Sequence, residues 1–229
     1  MTSRMKRIAL TMALTAVLPW GQLSAAGEPS EVNADNLEYD MSTGLAVATG
    51  DVLLKQGTSK MTGAKATYNT KTQEGTIEGN VIVVRDTLRM TCERLVTNGQ
   101  EKLVASGGVQ GVDGVKSFTA SQVEYYPTKN KYIKIPGGGT VVDQDGTLTA
   151  SYMEGWLDDE HYIGEGNVHV LSGSRNLEAG GDHADFVGKK EGRVVLTGNA
   201  WAIQDNNTMK SNKMTLYLDQ NGKAKVKQK

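Results

Sequence analysis

Hydrophobic and polar residues alternate with a period of two along most of this chain, and the alternation runs straight through glycines. One set is Ala46, Ala48, Gly50, Val52 and Leu54, and the next is Ile77, Gly79, Val81 and Val83. A third is Leu103, Ala105, Gly107 and Val109, and a fourth Ile133, Ile135, Gly137, Gly139 and Val141. The last two are Tyr162, Gly164, Gly166, Val168 and Val170, then Val194, Leu196, Gly198, Ala200 and Ala202. The residues between them are more polar: Glu78 and Asn80, Lys134, Glu165, Asn167 and His169. Period two with one apolar phase predicts half-buried strands. A glycine inside the apolar phase predicts a bend, or a close approach of another backbone. No apolar stripe of period 3.6 runs through residues 27–229, so helices are not expected.

A second pattern fills the gaps between these sets. It reads small or apolar, spacer, tiny, two spacers, apolar, spacer, then usually an aromatic. The copies are Val32-x-Ala34-x-x-Leu37-x-Tyr39, Met61-x-Gly63-x-x-Ala66-x-Tyr68 and Met90-x-Cys92-x-x-Leu95-x-Thr97. They continue as Phe118-x-Ala120-x-x-Val123-x-Tyr125, Leu148-x-Ala150-x-x-Met153-x-Gly155, Ala179-x-Gly181-x-x-Ala184-x-Phe186 and Met209-x-Ser211-x-x-Met214-x-Leu216. Successive copies start 29, 29, 28, 30, 31 and 30 residues apart, the mark of an internal structural repeat. The step of three between the tiny and the apolar residue reverses the phase of a flat strand. A bulge or corner at that step keeps both halves facing one way.

Turn residues separate the two patterns throughout. Asp40 to Gly44, Asn98-Gly99, Asp158-Asp159 and Gly188 to Gly192 follow copies of the second pattern; Gln56-Gly57, Asp86, Asp113-Gly114 and Ser172-Gly173 follow sets of the first. Short turns join antiparallel neighbours. Two strands in each of six and a half units predict about thirteen strands, more if every bend is a break.

The first 26 residues stand apart. Arg4, Lys6 and Arg7 precede a largely apolar run, Ile8 to Leu18, and Ser24-Ala25-Ala26 supplies the small residues of a cleavage site. Eleven residues fall short of the roughly 20 needed to span a bilayer. Residues 1–26 therefore read as a signal peptide and residues 27–229 as a single exported domain.

Composition narrows the function. Glycine occurs 27 times and proline 4, hydrophobic residues are 38% and charged residues 22% of the chain, which suits a β-protein with many tight bends. The net charge is −1, without the basic excess that nucleic-acid binding needs. The single cysteine, Cys92, excludes an internal disulfide framework. It stands where other copies carry Ala, Gly or Ser and reads as a small buried filler. His183-x-Asp185 and Asp158-Asp159-Glu160-His161 match no metal-ligand spacing, and His161 reads as part of a solvated acidic turn. Gly137-Gly138-Gly139 has no helix after it to supply phosphate-binding amides, so it reads as a strand corner. No metal, no cofactor and no enzymatic activity are expected.

The repeated A-x-x-A-x-Y-like element followed by G-x-V resembles the OstA-like (LptA-type) lipopolysaccharide-transport family. Ala34-Asp35-Asn36-Leu37-Glu38-Tyr39 with Gly50-Asp51-Val52 carries the likeness, as does Gly63-Ala64-Lys65-Ala66-Thr67-Tyr68 with Gly79-Asn80-Val81. Gly166-Asn167-Val168 and Gly198-Asn199-Ala200 continue it; Thr97 and Gly155 depart from it at the aromatic position. The resemblance covers residues 30 to 218. It implies an all-β fold, an open β-jellyroll (β-taco) of two facing antiparallel sheets. It also implies a periplasmic bridge protein that carries lipopolysaccharide from an inner-membrane clamp protein to an outer-membrane translocon.

On that reading the inward phase lines an apolar slit for the acyl chains of lipid A. Its walls are Val52, Leu54, Ile77, Val81, Val83, Leu103, Val109, Ile133, Ile135, Val141, Val168, Val170 and Leu196. Small residues between two sheets leave either volume for acyl chains or a closer sheet-to-sheet distance, and composition does not choose between them. Head-to-tail self-association is expected through the terminal edges, Val32, Leu37 and Tyr39 at one end and Ala224 and Val226 at the other. Two other functions suit a β repeat of this period: a β-solenoid acting on polysaccharides, and a structural repeat or adhesin. The solenoid enzyme needs paired carboxylates on one outward stripe, and Glu78, Glu165 and the turn acids do not align at one repeat position.

Overall fold

The computed structural model describes residues 30–99, 101–144, 146–188, 192–218 and 224–227, of which the side chains of Ser30, Leu218 and 224–227 are not described. The expected signal peptide, residues 1–26, lies outside the described residues. The strands in chain order are β1 (Ser30–Asn33), β2 (Asn36–Asp40), β3 (Leu45–Gln56), β4 (Ser59–Asn69), β5 (Glu74–Arg85) and β6 (Leu88–Asn98). They continue with β7 (Lys102–Asp113), β8 (Lys116–Tyr126), β9 (Tyr132–Ile135), β10 (Gly139–Val142), β11 (Thr147–Ala150) and β12 (Tyr152–Trp156). The last are β13 (His161–Ser172), β14 (Leu177–Val187), β15 (Arg193–Gln204), β16 (Asn207–Leu218) and β17 (Ala224–Lys227). Three pairs are single strands broken at the corner: β1 with β2 both lie along β3, β9 with β10 along β8, and β11 with β12 along β13. Read through these breaks, thirteen long strands run in sequence order, each antiparallel to the next, and β17 follows on β16. A solenoid winds with parallel ladders; these ladders are all antiparallel, which removes the β-solenoid reading.

Each long strand crosses a corner at its middle, and sequence chemistry makes the corner. On β5, Gly79 (φ +84°) and Asn80 (φ +50°) both adopt left-handed backbone, and the register with β6 shifts between Glu78 and Val81. Glycine takes that conformation without strain and asparagine takes it more readily than other residues. The same pair recurs as Gly50-Asp51, Gly107-Gly108, Gly166-Asn167 and Gly198-Asn199. Two left-handed residues make a bulge, so Ile77, Val81 and Val83 all stay buried on one side of β5. On the neighbouring strands the step of three does the same: Met90, Cys92, Leu95 and Thr97 are all buried along β6. The two halves of every strand thus belong to two facing sheets folded about a line of corners. Their inward side chains form one apolar cluster that runs from Ala48 to Leu216. This is the open β-jellyroll.

The departures at the aromatic position have packing causes. Thr97 is buried because its hydroxyl donates to the Gly99 carbonyl at 2.7 Å. Gly155 leaves room for the Tyr162 ring, which a Cβ there would strike.

Candidate functional site

The candidate site is the interior between the sheets, and its walls are the inward phase. Of the thirteen expected slit residues, Val52, Ile77, Val81, Val83, Leu103, Val109, Ile133, Ile135, Val141, Val168 and Leu196 are buried, and Leu54 and Val170 are half-buried. From β5 to β9 the space is filled by the walls' own side chains, with Ile77, Val81, Val109 and Ile133 at 0% exposure. Towards the C-terminal end the filling is incomplete. A cavity of about 110 Å³ lies there between the sheets, bounded by Leu148, Val170, Leu177 and Ala179 on one side and Met153, Phe186 and Leu196 on the other. Its walls are almost wholly apolar.

The two ends differ from the middle. Val32, Leu37 and Tyr39 are 41%, 59% and 53% exposed. The equivalent residues of the next copy, Met61, Ala66 and Tyr68, are buried. β1 and β2 pair with β3 alone among the described residues, so the N-terminal end presents both an unpaired strand edge and the inward apolar side chains. At the other end β17 pairs with β16 over Thr215–Leu218, setting Ala224 opposite Leu218 and Val226 opposite Leu216. Asn207 to Met214 of β16 have a ladder partner on β15 only, among the described residues.

The three histidines are paired structurally. His161 is not in the acidic turn; it opens β13, with Nε2 2.8 Å from Asp185 of β14. His169 stands 2.8 Å from Glu178 and His183 lies 3.8 Å from Glu165, so three cross-strand His–carboxylate pairs tie β13 to β14. Burial pushes the Cys92 thiol up to about 11, well above the range in which it would act as a nucleophile. Among the described residues no three His, Cys, Asp or Glu side chains gather as metal ligands. Gly137–Gly139 form the corner between β9 and β10; Gly138 has φ +71°, and a Cβ there would strike the Ala150 carbonyl oxygen.

Sequence reading missed a row of rings on the outer surface. Tyr126, Tyr132, Trp156 and His161 follow one another with centroids 5.5, 5.2 and 5.1 Å apart, the first two pairs tilted by 38° and 39° and Trp156 stacked on His161 at 19°. Tyr132 and Tyr152 both donate to Glu154 Oε2, at 2.5 and 2.6 Å. The rings belong to the polar phase of separate strands, and only the register aligns them.

The family model described as "LptA/(LptD N-terminal domain) LPS transport protein" matches residues 31–161, more than half of the chain. The chain belongs to this family. The LptA/LptD N-terminal-domain match holds the first five copies of the repeat and ten of the thirteen slit residues, from Val52 to Val141. Beyond it the same ladder continues through β13 to β16 with the same corners. Among solved structures, LptH, the LptA-homologous periplasmic component of the lipopolysaccharide transport device of Pseudomonas aeruginosa, is 22% identical. That likeness covers 44% of this chain and 77% of LptH, with a TM-score of 0.40. No curated protein matches the chain. Family membership makes this a protein of lipopolysaccharide transport.

Proposed function

We propose that the chain is a periplasmic bridge protein that holds the acyl chains of lipid A between its sheets. In that role it passes lipopolysaccharide from an inner-membrane clamp protein towards an outer-membrane translocon, without chemical turnover. The observation that carries this reading is the N-terminal end, where the apolar interior continues uncovered past the last buried repeat at Val32, Leu37 and Tyr39. A conduit needs such an end; a closed sandwich does not. Shielding one acyl chain of about twelve methylenes from water contributes on the order of 10 kcal/mol at ~0.8 kcal/mol each, so apolar walls suffice and no single residue need be a headgroup anchor. The same end suits head-to-tail docking, because an unpaired edge beside exposed inward side chains extends both ladder and slit into the next molecule.

The test is site-specific photo-crosslinking to lipid A. A photoreactive residue at half-buried Leu54 or Val170 is expected to capture lipid A, whereas one at outward Glu78, beside Arg94 at 3.7 Å, is not. Equal capture at all three positions, or none at Leu54 and Val170, overturns the proposal. Charged substitutions at Val83 or Val168 are poorer probes, since both are fully buried and an aspartate there unfolds the core before it tests the slit.

A further inference from the structure

The chain has one buried charge among its described residues, and it is at the rim of the cavity. Arg175 ends the three-residue 3-10 turn Gly173–Arg175 that joins β13 to β14, and it is 8% exposed. Asn176 closes that turn in left-handed backbone (φ +47°), its N–H donating to the Gly173 carbonyl at 3.2 Å. The side chain lines the apolar cavity described above. Its Nη1 donates to Ser172 Oγ at 3.2 Å, while its Nε is buried without a partner among the described residues. None of the ion pairs among the described residues includes it. Asp143 also borders the cavity, but its Oδ1 accepts from the Gly146 N–H at 3.0 Å in its own turn.

A buried guanidinium with one neutral partner is unfavourable, and proteins ordinarily offset such a charge with a carboxylate or a bound anion. An anion alone leaves the cavity empty; a neutral apolar molecule leaves the charge uncompensated. An amphiphile with a negative end meets both needs. The cavity is of the same order as the ~150 Å³ apolar voids that take up benzene, room for a segment of one chain. Guanidinium matches phosphate and carboxylate equally by bidentate hydrogen bonding.

We propose that the C-terminal third of the slit holds a subsite for an acyl chain bearing an anionic group, with Arg175 as its counter-ion. The proposal deepens the reading of the interior as a lipid slit. Its negative end is either the carboxylate of a free fatty acid or the phosphate of a glycolipid headgroup.

The test uses residues 27–229 of the chain and cis-parinaric acid, an anionic fluorescent fatty acid, against its uncharged methyl ester. The wild type is expected to bind the acid at least tenfold more tightly than the ester. Arg175→Gln is expected to remove that preference while ester binding stays, and Arg175→Lys to restore part of it. Ala184→Phe, which fills the cavity, is expected to weaken both. Displacement of the probe by diphosphorylated lipid A identifies the headgroup phosphate as the native anion; displacement by laurate alone identifies the free acid. Equal binding of acid and ester by the wild type overturns the proposal without recourse to any variant. So does a folded Arg175→Gln protein that keeps the preference. Failure of lipid A crosslinking at both Leu54 and Val170 removes the bridge reading and leaves the acid-over-ester ratio to decide the subsite.

Discussion

Ile77 is the sharpest place to ask whether the interior is a packed core in solution or a water-filled groove. It is completely buried on β5, and its Cγ1 occupies the space in front of Gly63, 2.7 Å from where a Cβ on that glycine would stand. Ile77→Ala removes three carbon groups, about 2.4 kcal/mol of transfer free energy at ~0.8 each. The void left between the sheets brings the expected loss to roughly 3–4 kcal/mol, within the ~2–5 usual for such truncations. With an m-value of about 3 kcal/mol/M, the urea midpoint falls by about 1 M. Gly63→Ala alone drives a methyl into Ile77 and costs roughly 1–2 kcal/mol. In the double variant that methyl enters the void, so the pair is expected to lose only about 3 kcal/mol, a favourable coupling of roughly 2. The assay is a four-protein urea cycle followed by circular dichroism. Additivity within about 0.5 kcal/mol, or a loss below about 1 kcal/mol for Ile77→Ala, refutes the filled interior, because only exposed side chains are that tolerant.

Three further outcomes follow from the geometry. Gly79→Ala places an L-residue at φ +84° with its Cβ 2.7 Å from Ala64 Cβ, and is expected to cost about 2 kcal/mol or more. Gly99→Ala, at φ +55° with open space around it, is expected to cost only about 1 in the same melts, and equal losses remove the corner argument. Because burial raises the Cys92 thiol to about 11, the unfolded chain loses that proton first, so this contribution to stability is whole below pH 9 and declines as pH rises towards 11. Cys92→Ala is therefore expected to flatten the alkaline limb of stability against pH, and an unchanged limb shows that the thiol plays no part in it. Removing residues 223–229, or Val226→Pro, is expected to weaken self-association while the monomer still folds; scattering that finds full assembly in the truncated protein rules out the C-terminal edge as the contact.

How much of this molecule is local in origin follows from particular positions. The alternation through Ile77, Gly79, Val81 and Val83 defines a strand and its buried face, because side chains on a pleated strand alternate faces whatever lies beside it. Gly79-Asn80 and its equivalents place the corners, since left-handed backbone is a preference of the residue itself. Repeats near 29 residues with short turns then leave an antiparallel succession of strands as the natural arrangement. What the sequence by itself could not determine depends on neighbours about thirty residues away. Tyr39 and Tyr68 fill the same motif position, yet one is half exposed and the other buried, because β4 has a strand on either side and β2, among the described residues, pairs only with β3. His161 looks like part of an acidic turn in one dimension and is paired with Asp185 across a ladder in three. The cavity and the burial of Arg175 arise from side-chain volumes summed over two facing sheets, a quantity no single strand carries.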